Sequence, residues 1–292
     1  MDELKTLLAV VPDDEHGWMA VCTAASLARR AEADLRVAAV AQRLPVVETF
    51  TPSGSVSEIY LDAIADALER RARDFLTEMR WPEAPVLREK GDLAGAAARA
   101  AKQVSADLVV LGSGNHGSSR SLTASAADRI IHLASLPVLV TPEPRREAYR
   151  RVLVGVDLMN RGKGVTEAAA LVARIDGASL RALHVHESVP MLDEVGIIDD
   201  AVIRRDAEES LRRIVADLEL PATLEHETVF RYGHAGHEIL AEAEAWGADL
   251  VVIGSHGAGL VERLMMLGSS ARHVLHHLDR AALVVPCDGA PA

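Results

Sequence analysis

At 292 residues, with apolar side chains at 49%, charged ones at 25% and aromatics at only 3%, the chain has globular composition and room for two domains whose cores are built from Val, Leu, Ile and Ala. A formal charge of −12 argues against the clustered Lys and Arg of a nonspecific phosphate-backbone grip, so nucleic acid is not an expected partner. No apolar run approaches the roughly 20 residues of a membrane-spanning helix, and the opening MDELKTLLAVVPDDEHG carries acids where a signal peptide is basic, so no membrane insertion and a cytoplasmic location are expected.

In chain order, the first half opens on the strand-like run TLLAVV (6–11), with a second run, ADLRVAAV, at 33–40 and a closing one, PVLVTP, at 137–142. Helical stretches fall near 17–31, 57–79, 93–104 and 121–134. Prolines and charges in TPEPRREAYRR (141–151) interrupt both periodicities and mark a linker. Beyond it, compact apolar or alternating runs place strands near 151–156, 179–185, 223–230, 250–253 and 282–285. Helices are predicted near 164–175, 201–218, 234–245 and 268–277, the second carrying Val202, Ile203, Leu211, Ile214, Val215 and Leu218 at helical spacing.

The halves repeat one another. SADLVVLGSGNHG (105–117) returns as GADLVVIGSHGAG (247–259), and ADLRVAAV (33–40) as ASLRALHV (178–185). Strands alternating with helices specify right-handed crossovers and a parallel sheet. The expected architecture is α/β, two Rossmann-like five-stranded domains of strand order 3-2-1-4-5, at 1–142 and 151–288. Their equivalent terminal strands predict pairing of the two domains about a pseudo-two-fold axis, which would cover edges otherwise open to aggregation, and a homodimer of such chains is a further expectation.

Open parallel sheets bind ligands beyond the carboxyl ends of their strands, where strand order reverses. In the second half Asp157 follows the first strand, and Gly254 opens the glycine-rich stretch GSHGAGLVERLMMLGSS after the fourth. Glycines let backbone N–H groups approach phosphate oxygens, and a helix start adds its positive pole. Gly254, Gly257 and Gly268 suit that use, with Ser269 and Ser270 offering hydroxyls.

At these residues the chain resembles the universal stress protein family, whose ATP-binding members carry G-x2-G-x9-G-[ST] after the fourth strand. The resemblance extends over nearly the whole chain through VLVGVD, the HV of LRALHV, ADLVVIGSHG, GSSARHVL and ALVVP. It implies a regulatory protein of the stress response that binds ATP, ADP or AMP. Asp157 would be the adenosine-contacting acid, Val185 and Ile253 the adenine-flanking apolar residues, and Gly254, Gly257, Gly268, Ser269 and Ser270 the phosphate loop. Ten residues rather than nine separate Gly257 from Gly268. In the first half, Thr123 is read as standing where Gly268 stands and Pro12 opposite Asp157, with Asp13 and Asp14 in reach after a small shift; that half is expected to serve pairing or regulation.

Other motifs carry less. MNRGKGVT has the wrong glycine spacing for a P-loop and lacks Ser or Thr after Lys163. Nine of the twelve histidines lie in the second half, at 184, 186, 226, 234, 237, 256, 273, 276 and 277. HAGHE sets His234 and His237 three apart, not in the HExxH frame, and no cysteine ligand is near. No metal site is therefore expected; His234 is read as a helix cap and His256 as part of the phosphate loop. No serine sits in a G-x-S-x-G elbow, so no catalytic residue is expected and any ATP turnover should be slow. Two other readings stay open, a nucleotide-free interaction scaffold and a metal-dependent or slow phosphate-hydrolysing enzyme.

Overall fold

The computed structural model describes residues 3–13, 16–42, 54–113, 117–158, 163–187, 200–255, 267–277 and 279–287. Two compact units contain Leu4–Glu147 and Ala148–Ala292. In the first, β1 (Thr6–Pro12), β2 (Asp34–Gln42), β3 (Val86–Gly91), β4 (Leu108–Gly112) and β5 (Val138–Thr141) pair in parallel in the order β3-β2-β1-β4-β5. Its helices are α1 (Gly17–Ala31), α2 (Gly54–Glu78), α3 (Leu93–Val104) and α4 (Gly117–Ala134). In the second, β6 (Arg151–Gly155), β7 (Ser179–His186), β8 (His226–Tyr232), β9 (Leu250–Gly254) and β10 (Ala281–Val285) take the order β8-β7-β6-β9-β10, again all parallel. Here the helices are α5 (Lys163–Asp176), α6 (Asp200–Ala216), α7 (Ala235–Trp246) and α8 (Ser269–His277). Each unit is the α/β domain the repeat predicts.

The inner strands are apolar end to end because helices cover both faces: Leu7–Val11, Leu108–Leu111, Val152–Val154 and Leu250–Ile253 are all buried. The repeated ADLVV block does three jobs in succession. Ser105 and Gly247 adopt left-handed backbone, φ 51° and 68°, and end α3 and α7, with Ala106 N–H donating to Ala101 O and Ala248 N–H to Ala243 O, both at 2.9 Å. The aspartate then clamps the start of the unit's first strand. Asp107 accepts from Lys5 and Thr6 N–H at 2.8 Å, and Asp249 from Arg150 and Arg151 N–H at 3.0 Å. The apolar residues that follow enter the sheet.

Edge strands follow another rule. From Leu87 on, β3 alternates covered and exposed residues, β8 is exposed at His226, Glu227 and Arg231, and basic residues of both strands meet carboxylates on the neighbouring helices. Lys90 pairs with Asp62, and Arg88 with Asp62 and Asp66. In the second unit Glu242 of α7, only 3% exposed, receives Arg181 from β7 and Arg231 from β8, while Arg181 also stacks on Trp246 at 4.4 Å. Burial alone would raise the Glu242 carboxyl, but the hydrogen bonds and charges of the two arginines outweigh it and hold it below the usual range. β8 starts at His226, three residues later than the predicted 223. A turn closed by Leu224 N–H on Pro221 O occupies the interval, so the apolar Leu224 there belongs to the turn. Between the units, Arg145 N–H donates to Thr23 Oγ1 and Tyr149 N–H to Asp176 Oδ2, so the linker residues are fixed within their own units.

Glu242→Ala leaves two guanidiniums without their shared carboxylate and should cost about 3 kcal/mol at neutral pH, less than a fully buried pair because Arg231 is half-exposed. Because the folded carboxyl titrates below its unfolded value, this advantage is complete above the ordinary carboxylate range and fades as pH drops through the depressed one. Urea melts of parent and variant measure it; a gap under about 1 kcal/mol at pH 7, or one that widens below about pH 4, contradicts the assignment.

Candidate functional site

In the second unit the order of strands reverses between β6 and β9. Beyond their carboxyl ends opens a cavity of about 700 Å³. Asp157, one residue past Val156 at the end of β6, is half-buried on its rim. Val185 approaches from β7, Ile253 and Gly254 from β9, and Gly268, Ser269 and Ser270 from the start of α8; all seven line the cavity. Gly257, the eighth residue expected there, lies outside the described residues, as does His256.

Hydrogen bonds that the sequence did not reveal hold these residues. Val156 is gripped from both sides by β7: its N–H donates to Leu183 O at 2.8 Å, and its carbonyl accepts from His184 Nδ1 at 2.8 Å. A carbonyl can only accept, so Nδ1 carries the proton and the Asp157 backbone is fixed one residue on. Burial pushes the His184 imidazole below its ordinary value, against the opposing effects of the Val156 carbonyl and the Asp157 charge. Ser255, 2% exposed, ties three chain segments together. Its N–H donates to Val285 O and its carbonyl accepts from Gly268 N–H, both at 2.8 Å, while its hydroxyl accepts from Cys287 N–H at 3.2 Å. The first turn of α8 is thereby brought back onto the end of β9. The glycines with positive φ among the described residues are Gly91, Gly177, Gly233 and Gly247, so no left-handed backbone calls for glycine at position 268.

One wall was not foreseen. Ile203, Asp206, Ala207 and Ser210 on α6 face the cavity, together with Ile239 and Ala235 of α7 and Glu187 after β7. The 203/207/210 spacing is visible in the sequence, but it is the same spacing that marks a core-facing stripe. His234 occupies the N-cap position of α7 yet makes no side-chain cap bond, contrary to its expected role. The carboxylate of Glu187 takes that place, accepting from Ala235 N–H at 2.6 Å.

The first unit has a smaller counterpart, about 430 Å³, lined by Pro12, His16, Gly112, Thr123, Ser125 and Arg129 among others. Strand registers confirm Pro12 opposite Asp157: Leu7 pairs with Leu108 as Val152 pairs with Leu250. Gly112 there is pressed against the backbone of α1, since a Cβ on it would lie 1.9 Å from the carbonyl oxygen of His16. Asp13 is exposed, and Asp14 lies outside the described residues. The equivalence of Thr123 with Gly268 is corrected. Thr141 and Val285 hold matching places against Gly112 and Gly254, and counting back from them aligns Gly268 with the buried Ala124 and Leu267 with Thr123. Counting forward failed because it crossed a loop of unequal length.

Two copies of one doubly wound domain, each with a crevice at its switch point, define a tandem α/β protein. A model of the Universal stress protein family matches the chain twice, over residues 3–142 and 148–286, and the chain belongs to that family with two of its domains in tandem. Over 184 residues it is 31% identical to Universal stress protein Mb2028c of Mycobacterium bovis, a match covering 59% of each chain. Over 134 residues it is 28% identical to Universal stress protein A homolog 1 of Coxiella burnetii, covering 44% of this chain and 90% of that one. Thus the chain spans 59% of the length of the mycobacterial relative. Among solved structures, a universal stress protein from Archaeoglobus fulgidus matches with TM-score 0.67 at 20% identity, covering 98% of this chain and 97% of that one. A putative universal stress protein from Pseudomonas aeruginosa gives 0.64 at 19%, covering 98% and 94%. At those identities the likeness is one of fold.

The burial of the His184 ring, which outweighs its bond to Val156, predicts that the imidazole, followed by NMR in the intact chain, titrates with a midpoint below the ordinary value of about 6.5. A midpoint at or above that value contradicts the burial of the ring, and a proton found on Nε2 alone at neutral pH contradicts the bond to Val156.

Proposed function

We propose that the chain is a cytoplasmic regulatory protein of the stress response that binds one adenine nucleotide, ATP or its di- or monophosphate, in the second unit. What supports the reading is one observation: a cavity at the switch point gathers an acid, apolar walls, small backbone and a helix start with two serines. The acid is Asp157, the apolar flanks are Val185 and Ile253, and Gly254, Gly268, Ser269 and Ser270 form the polar end. A nucleotide asks for these same features in this arrangement. Its sugar hydroxyls donate to a carboxylate, its base needs apolar faces, and its phosphates need N–H donors, hydroxyls and the positive pole of a helix. Gly257 is assigned to the phosphate loop by the family resemblance. Family membership raises the expectation, and the fold by itself assigns no ligand.

In the first unit the reading assigns no nucleotide. Pro12 replaces the acid, Ala124 the glycine, and the His16 carbonyl lies against Gly112, leaving a smaller cavity.

Calorimetric titration of the full chain with ATP should therefore give one site. Asp157→Ala removes a charged acceptor and should weaken binding by about 1.5–3 kcal/mol, roughly ten- to more than a hundredfold. Gly268→Val fills the space the phosphates need and should abolish measurable binding while the chain stays folded. Thr123→Val in the first unit should leave both affinity and site count unchanged. Two equal sites, or a site indifferent to Gly268→Val, would reject the assignment.

A further inference from the structure

Where the amino end of α7 meets α8, four imidazoles stand in contact. His237 stacks on His273 with ring centroids 4.3 Å apart and 27° between the planes, and His273 stacks on His277 at 4.3 Å and 28°. His234 stands edge-on to His237 at 5.0 Å and to His273 at 6.1 Å. Gly236 permits the approach, since a Cβ there would lie 3.0 Å from Cβ and Cδ2 of His273. Nδ1 of His277 donates to the His273 carbonyl at 2.8 Å, which anchors the last ring to its helix.

Rings stacked face to face do not aim their nitrogens at a common point, as ligands held about 2.0–2.1 Å from a zinc ion must. Among the described residues no group of three or more His, Cys, Asp or Glu is arranged to hold an ion. A stack of this kind responds to protons instead. Neutral rings pack as aromatic surfaces; each proton added sets like charges a few ångströms apart.

The charged and titratable groups around the stack are His276 and Arg272 on α8, Glu238 in the first turn of α7, His186 at the end of β7, and Glu187 against Ala235 N–H. Burial first, then the charges of His277, His237, His234 and His276, push the His273 imidazole down. Burial, then His277 and Arg272, do the same to His276.

An internal comparison comes from the first unit. Asp92 caps α3 as His234 stands at the cap of α7, and Arg129 corresponds to His273 when counted back from β5 and β10. There the corner is closed by an ion pair, Arg129 to Asp92 at 2.9 Å, with Gly95 in the place of His237 donating to the same Asp92 at 3.0 Å. One corner of the repeat is thus held by a carboxylate and a guanidinium, the other by imidazoles, the class of side chain that changes charge most readily.

We propose that His234, His237, His273 and His277 form a proton-sensitive latch, which holds α7 against α8 when neutral and parts them when protonated. Ala235 and Ile239 of α7 and Ser269, Ser270 and Ala271 of α8 belong to the wall of the main cavity, so the latch governs whether that wall is closed. This holds whatever ligand the cavity takes. Lowered folded-state values for His273 and His276 fix the sign: their contribution is complete above the ordinary imidazole value and is lost as pH falls through it toward the depressed values.

Hydrogen exchange of the full, chelator-treated chain, corrected for intrinsic rates, tests this between about pH 7.5 and 5.8, where imidazoles titrate. Protection of residues 235–246 and 269–277 should fall on acidification, by up to about tenfold per pH unit for each proton taken up on opening, while that of residues 93–104 holds. The double variant His234→Asp, His273→Arg, which copies the first unit, should stay protected at the lower pH. His237→Gln with His273→Gln should lose the pH dependence whatever its absolute protection. Equal loss in α3 and α7, or a pH dependence undiminished in both double variants, overturns the latch.

Discussion

Parallel strands cannot be joined by a tight turn, so within each unit every strand but the last is followed by a crossover helix that must lie on one face of the sheet or the other. In an order that runs outward from β6 through β7 to β8 and then from β9 to β10, the crossovers change face once, between β6 and β9. There the two chain segments leaving the sheet diverge, and the backbone at the strand ends is left uncovered. The rest of the site follows from that divergence. Asp157 stands at one lip, Gly254 at the other, and Ser255 pulls the start of α8 across the gap through Gly268.

Duplication supplies the same crevice twice, and the two units then use it differently. In the first unit α1 begins close to the strand ends, and its His16 carbonyl fills the space over Gly112. In the second, the wall residues include small or apolar ones, Ala207, Ala235, Ile203 and Ile239, and the cavity is larger. The corner between α7 and α8 differs in kind as well, with imidazoles where the first unit has a carboxylate and a guanidinium. A tandem chain can vary one unit while the other keeps the shared scaffold, and each of these differences lies at the carboxyl ends of the strands or at the helix ends beside them, where the core is least constrained.

Much of this was legible in the sequence. Apolar runs such as ADLVVIG and VLVGV are buried on both faces and cannot be shifted, so strands and crossovers were predicted closely, and the order of the sheet with them. Seven of the eight expected site residues line the cavity: Asp157, Gly254, Gly268, Ser269 and Ser270 because position after a strand of known rank fixes where the chain emerges, Val185 and Ile253 through the family resemblance. What escaped depends on contacts between distant segments. The edge strand β8 was placed early because the apolar Leu224 before it belongs to a turn, and its end was missed because Arg231 is paired with Glu242 on another element, which no local pattern announces. The clamp of His184 on Val156, the capping of α7 by Glu187, and the stacking of His237 on His273 join residues far apart in the chain. Thr123 was aligned with Gly268 by counting through a loop whose length differs between the units, whereas the strand registers put Ala124 there.

The central claim is that one crevice of the pair, the one bounded by Asp157 and Gly268, holds an adenine nucleotide. Native mass spectrometry of the intact chain, with extraction and identification of whatever small molecule is carried through purification, addresses it most directly. The account predicts a single population gaining the mass of one adenine nucleotide per chain on saturation with ATP, and that mass missing from the Gly268→Val chain. A chain that stays bare at saturating ATP, or one that takes up two nucleotides with equal avidity, would contradict it.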